Sequence, residues 1–145
     1  MGCEFCDNSS TFDELKIKEY PNWIVYLHPN QYYLGRCIIR LKRHLEDFFD
    51  INDAELKEVF EITKEFRGAI KGLFGADMIN YATLGNIIRH VHLHFIPRYS
   101  RKVSFSGFVF EDKRWGQNYV PYDKEFRVSK EVTISIRDNI KNKVK

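Results

Sequence analysis

Cysteine is scarce in this chain of 145 residues: there are three, and one of them, Cys37, lies inside an apolar run. That number and placement do not describe a disulfide framework. Long hydrophobic runs are missing too. No stretch approaches the length of a membrane span, and the first residues lack the basic-then-apolar layout of a signal peptide. Met1-Gly2-Cys3 resembles an acylation start, but Cys6 stands where the myristoylation pattern wants Ser or Thr. A cytoplasmic protein with no membrane contact is therefore expected. There is also no strong excess of one charge. The net value of +3 favours anionic partners weakly and gives no reason to expect nucleic acid. With 43% hydrophobic and 15% aromatic residues the chain is globular, and its length fits one domain over residues 1–145.

What is present is concentrated. His90-Val91-His92-Leu93-His94-Phe95-Ile96-Pro97-Arg98 contains three of the five histidines, alternating with apolar residues. A period of two predicts a half-buried strand, with His90, His92 and His94 on one face and Val91, Leu93 and Phe95 towards the core. Side chains two apart on a strand stand roughly 6.5–7 Å from one another, which suits a row of imidazoles working along one extended ligand. A chance polar face on an edge strand is the plainer alternative. Three clustered imidazoles repel one another when charged, so a ligand accounts for them better.

The rest of the chain reads as support for this strand. Leu15–Tyr20, Trp23–Leu27, Gly35–Leu41 and Met78–Leu84 have strand character. Asn52 with Glu55 forms a capping-box pattern ahead of a long helix. In that helix Leu56, Val59, Phe60, Thr63, Phe66, Ile70, Leu73 and Phe74 make an apolar stripe expected to be core, and Gly75 stops it. After Arg98 the chain is turn-rich and aromatic, and Ser129 begins a last element that reads as a helix. His28, beside Pro29, reads as a solvated loop residue. Cys3-Glu4-Phe5-Cys6 suits half of a zinc site if two further ligands exist; an unligated pair is the alternative.

These residues resemble the histidine triad family of nucleotide hydrolases and transferases, whose signature is three histidines alternating with apolar residues. The ending Phe95-Ile96-Pro97-Arg98-Tyr99 is similar to the branch that cleaves dinucleoside polyphosphates, and Leu84-Gly85-Asn86 is similar to the loop ahead of the catalytic strand. The resemblance covers the first two-thirds of the chain, a core of about 1–100 with 101–145 as a C-terminal extension. It implies an α+β fold, a five-stranded, mainly antiparallel sheet with the long helix packed on one face, and a homodimer whose sheets join edge to edge.

For chemistry, the resemblance implies that His92 attacks the α-phosphate of a dinucleoside polyphosphate such as diadenosine tetraphosphate. A nucleotidyl-histidine then forms and is hydrolysed, while His94 binds phosphate oxygens and handles protons. Asn86, Asn80 and Arg98 are expected at the substrate. A related zinc-binding branch implies a structural zinc on Cys3, Cys6, His44 and His90. Two departures stand out. Many members have histidine where this chain has Arg36, and a hydroxyl residue where it has Ile87. Arg36 is expected to contact the leaving-group phosphate rather than transfer a proton. The alternatives are a nucleoside phosphoramidase, or another adenylyl hydrolase of the family, and a nucleotide-binding regulatory module with little turnover.

Overall fold

The computed structural model describes residues 2–7 and 12–144. Five strands form one antiparallel sheet in the order β1-β2-β3-β5-β4. They are β1 (Lys16–Glu19), β2 (Trp23–Leu27), β3 (Cys37–Leu41), β4 (Met78–Ala82) and β5 (His92–Arg98). The expected α+β architecture is present. Every residue of β2 and β3 is buried because both faces of the sheet are covered. On one face Trp23, Val25, Leu27, Ile39, Leu41 and Phe95 pack against the long helix α2 (Asp53–Phe74). The short helix α1 (Glu4–Asp7) lies over the other face, where its buried Phe5 approaches Arg40 and His92.

The start of α2 also positions the loop after β3. Asn52 accepts from the Glu55 backbone, and the Glu55 carboxylate accepts from the Asn52 N–H, completing the capping box read from the sequence. The same carboxylate, buried at 2% exposure, takes both arms of the Arg43 guanidinium at 2.6 and 2.9 Å. A bidentate pair fixes direction as well as distance. It holds the 42–45 segment against the helix, and Val91 then donates to the Leu45 carbonyl at 2.7 Å. His44 and His90 are neighbours because of these contacts.

The helical stripe is wider than the sheet it meets. Val59, Ile62, Phe66 and Ile70 enter the core, whereas Leu56 and Phe60, expected there, stay 50% and 63% exposed. With Tyr81 and Leu93 they line an apolar groove beside the edge strand β4, whose outer side has no strand partner among the described residues.

Beyond β5 the turn-rich segment holds an unexpected hairpin, β6 (Val103–Phe105) and β7 (Phe108–Phe110). Its turn residues Ser106 and Gly107 both have positive φ, 51° and 75°, the geometry of tight hairpin connections. Helix α3 (Lys130–Lys143), capped by Ser129, buries Ile136 and Ile140 and closes the core, as the Ser129 signal predicts. No helix among the described residues is long and apolar enough to cross a membrane.

Removing the Glu55 carboxylate abolishes one side of the capping box and strands Arg43. We expect Glu55→Ala to destabilise the fold by about 2–4 kcal/mol, seen as a lower urea midpoint with unchanged slope. An unaltered midpoint would mean that this junction does not hold the fold together.

Candidate active site and metal cluster

Antiparallel register sets the functional face. Ile38 pairs with His94 and Arg40 with His92, so β3 places Ile38 and Arg40 beside the two histidines of β5. His90 precedes the strand as a fully buried residue, and its Nε2–H donates to the Leu41 carbonyl at 2.7 Å. That bond commits the proton to Nε2 and leaves a lone pair on Nδ1. One step along, His92 Nδ1–H donates to the His90 carbonyl at 2.6 Å, so here the lone pair is on Nε2. Burial lowers the pKa of both rings, and the carbonyl bonds oppose the shift only in part. His92 is therefore a neutral imidazole, the form able to attack phosphorus.

His94 is the counterpart. The Nη2 of Arg36 lies 3.4 Å from its Nδ1. A guanidinium only donates, so Nδ1 accepts and the His94 proton sits on Nε2. Its pKa falls to about 4 through desolvation first, then the charge of Arg36 and the nearby His92. The two rings meet edge to face with centroids 4.9 Å apart. Adjacent histidines on one strand thus offer opposite functions, a lone pair from His92 and an N–H from His94.

Both line a cleft of about 310 Å³, near the lower end of the range for ligand sites. Phe5, Phe12, Pro29 and Ile38 supply apolar walls, and the Leu84–Ile88 loop with Asn86 overhangs it. His28, read from the sequence as a loop residue in solvent, also lines this cleft. Its Nδ1 lies 3.0 Å from the Asn30 backbone nitrogen and 3.2 Å from the Asn30 carbonyl. Desolvation and the positive charge of Arg36 push its pKa well below the ordinary value. Its place follows from strand pairing (His28 N–H donates to the Arg36 carbonyl), a signal that the Pro29 beside it masks in the sequence.

The other expected substrate residues are divided. Asn86 is at the cleft. Arg98 is 2% exposed, and its five N–H groups all have protein acceptors: Asp112 twice, Asn80, Gln117 and Arg114. Asn80 is committed to Arg98 in the same network. Arg98 fastens the 112–117 segment to the sheet and has no free arm for phosphate, while the Asn80 oxygen is taken by Arg98 and its amide lies 3.8 Å from the Met78 sulfur. Arg36 is 3% exposed and stands behind His94.

Beside His92, the atoms Cys3 Sγ, Cys6 Sγ, His44 Nδ1 and His90 Nδ1 converge within 4.8 Å of one another. Four of their separations are 3.1, 3.3, 3.6 and 3.7 Å. A tetrahedral zinc with bonds of about 2.0–2.3 Å puts ligand atoms about 3.3–3.8 Å apart. The lone pair of His90 Nδ1 already points into the group because Leu41 holds the opposite nitrogen, the usual outer support for a metal-ligating histidine. These residues can hold a metal.

The HIT domain family profile matches residues 12–101. The chain belongs to this family. The protein named "hit" of Bacillus subtilis is 27% identical over 127 residues, covering 83% of this chain and 86% of its own. A hypothetical histidine triad nucleotide-binding protein of Sulfolobus tokodaii shares the fold with a TM-score of 0.74 at 20% identity, over 97% of this chain and 91% of its own. A zinc-bound histidine triad protein of Mycobacterium smegmatis matches with a TM-score of 0.63 at 20% identity, over 98% and 95% of the two chains. This HIT chain thus has fold relatives described as nucleotide-binding and as zinc-bound.

Proposed function

We propose that the protein is a nucleotide hydrolase that cleaves dinucleoside polyphosphates at the α-phosphate through a covalent intermediate on His92. The observation that carries the reading is the pair of opposed tautomers. His92 presents Nε2 as a nucleophile, and His94 presents Nε2–H to the phosphate oxygens that gain charge in the transition state. Nε2 of His92 forms a bond to the α-phosphorus, and the bond from phosphorus to the leaving oxygen breaks. The His90 carbonyl stabilises the Nδ1–H as the ring becomes cationic. Water then attacks phosphorus, the P–N bond breaks, one proton passes to solvent, and neutral His92 returns with a nucleoside monophosphate released.

A structural zinc on Cys3, Cys6, His44 and His90 belongs to this reading. The residues between the two cysteines carry Phe5, whose ring meets the His90 and His92 rings at 5.6 and 5.1 Å. Holding Cys3 and Cys6 therefore holds a wall of the cleft. The reading also includes a homodimer joined along β4, with Leu56, Phe60 and Tyr81 of each copy covering the groove of the other. The edge strand and the exposed apolar groove beside it support this.

Three measurements test these points. An alkaline quench during turnover of diadenosine tetraphosphate is expected to preserve one adenylyl group on His92, mapped by mass spectrometry. His92→Asn should lose at least about 10⁴-fold in kcat. Near-normal turnover by that variant sinks the mechanism, and no turnover of any nucleotide by the wild type would leave a binding module. Elemental analysis should find one zinc per chain, lost together with thermal stability in the Cys3→Ser, Cys6→Ser double variant; an unchanged metal content removes the site. Light scattering should give a dimer for the wild type and a monomer for Phe60→Glu, and a monomeric wild type refutes the assembly.

A further inference from the structure

Arg36 is a buried cation without an acidic partner among the described residues. Its Nε and Nη1 have no hydrogen-bond acceptor, and the guanidinium instead lies 5.0 Å from the ring centre of Tyr122 and 5.5 Å from that of Tyr119. Two aromatic faces attract a cation without consuming its N–H donors. The clamp is itself fixed. Tyr33 donates its hydroxyl to the Tyr119 carbonyl at 2.5 Å, and the Asn30 amide donates to the Asp123 carbonyl at 3.1 Å. The Arg36 backbone is held as well, its N–H by the Tyr33 carbonyl and its carbonyl by His28 and Gln31. Among the described residues, the one side-chain acceptor left to Arg36 is His94 Nδ1.

We propose that Arg36 is a positioning residue that locks His94 as a neutral Nε2–H donor, closes it to proton relay, and so restricts the enzyme to leaving groups that depart as anions. The step rests on the hydrolase reading above and names its substrate class. A histidine in place of Arg36 can accept a proton on one nitrogen and release one from the other. A guanidinium cannot accept a proton at all, so the path through His94 ends there. The remaining groups facing His94 do not substitute for it. His92 on β5 is the nucleophile. His28, on the turn between β2 and β3, is kept neutral by burial and by Arg36 itself. Glu4 of α1 stands at the cleft without a hydrogen bond to any of the three histidines.

The chemistry follows from the proton balance. When the P–O bond to a nucleoside polyphosphate breaks, the electron pair stays on a phosphate oxygen, an anion stable at neutral pH. When the P–N bond of a phosphoramidate breaks, nitrogen needs a proton to leave as an amine. With His94 closed to proton relay by Arg36, that proton is left to come from water, a far weaker acid than an imidazolium. The site accordingly favours phosphate and polyphosphate leaving groups and disfavours amines.

Two independent readouts test this. Nitrogen-15 NMR of the wild type should show His94 with Nε2 protonated and Nδ1 bare from pH 8 down to about pH 5. In Arg36→Gln the His94 midpoint should rise by at least about one pH unit, since a neutral amide removes the opposing charge. In kinetics the wild type should prefer diadenosine tetraphosphate over adenosine 5′-phosphoramidate by at least about 100-fold in kcat/KM, the low end of what general acid catalysis supplies. Arg36→His should narrow that ratio at least about tenfold. A His94 proton on Nδ1, an unmoved midpoint in Arg36→Gln, or equal use of the two substrates by the wild type would each overturn the proposal. Should Arg36→Gln fail to fold, the wild-type spectrum and the wild-type substrate ratio decide the matter alone. If the spectra are as expected but neither substrate is cleaved, the hydrolase reading fails and the substrate-class inference falls with it, while the hold on His94 is upheld.

Discussion

Two backbone carbonyl bonds set the chemistry of the histidine-bearing strand β5 and its entry. Leu41 takes the Nε2–H of His90 at 2.7 Å, and His90 takes the Nδ1–H of His92 at 2.6 Å. Each bond is possible because the chain leaves the regular ladder just before β5, so that the His90 carbonyl turns towards its own strand's side chain. A neutral imidazole has one donor and one acceptor, and fixing either nitrogen fixes the other. Three chemically identical residues thereby become different parts: a group with its lone pair towards the cysteines, one with a free lone pair on Nε2, and a hydrogen-bond donor. The third depends on Arg36 instead of a carbonyl. That is why its donor state is tied to a side chain that substitution can change.

The sheet and the helix were legible in the sequence because they rest on local periodicity. Alternation through residues 90–95 placed the histidines on one face, and the Asn52–Glu55 pair placed the start of α2. The grouping of Cys3, Cys6, His44 and His90 came through resemblance; spacing alone left the cysteine pair open. Other features were hidden because they depend on contacts distant in sequence. His28 enters the cleft through its pairing with Arg36 across the turn, while the proline beside it signals only a loop. Arg98 stands after the triad where a phosphate contact was expected. Asp112, fourteen positions further on and across the hairpin, captures it instead. Leu56 and Phe60 carry the helical period of a core stripe, and periodicity cannot say how wide the facing sheet is.

Burial has a different effect at each end of the functional face. Around Arg98, a saturated set of acceptors makes a buried cation a structural joint. Around Arg36, no carboxylate among the described residues offsets the charge, which adds to burial in lowering the pKa of both His28 and His94. The two arginines are equally hidden, at 2% and 3% exposure, so burial alone does not distinguish them. The difference lies in what lies against the guanidinium: a carboxylate in one case, two tyrosine rings in the other.

The position of Phe5 carries a consequence for the order of assembly. Cys3 meets His90 across 87 residues of chain, the kind of contact whose closure is slow and late. During synthesis residues 3–6 emerge before β5, yet their dock, which includes His90 and His92 as well as Arg40 and His44, is incomplete until β5 has followed them out. This wall of the cleft is thus made well before the strand that completes its placement. At some 5–20 residues per second the interval is about 4–17 seconds, in which a pair of thiols stands open to oxidants.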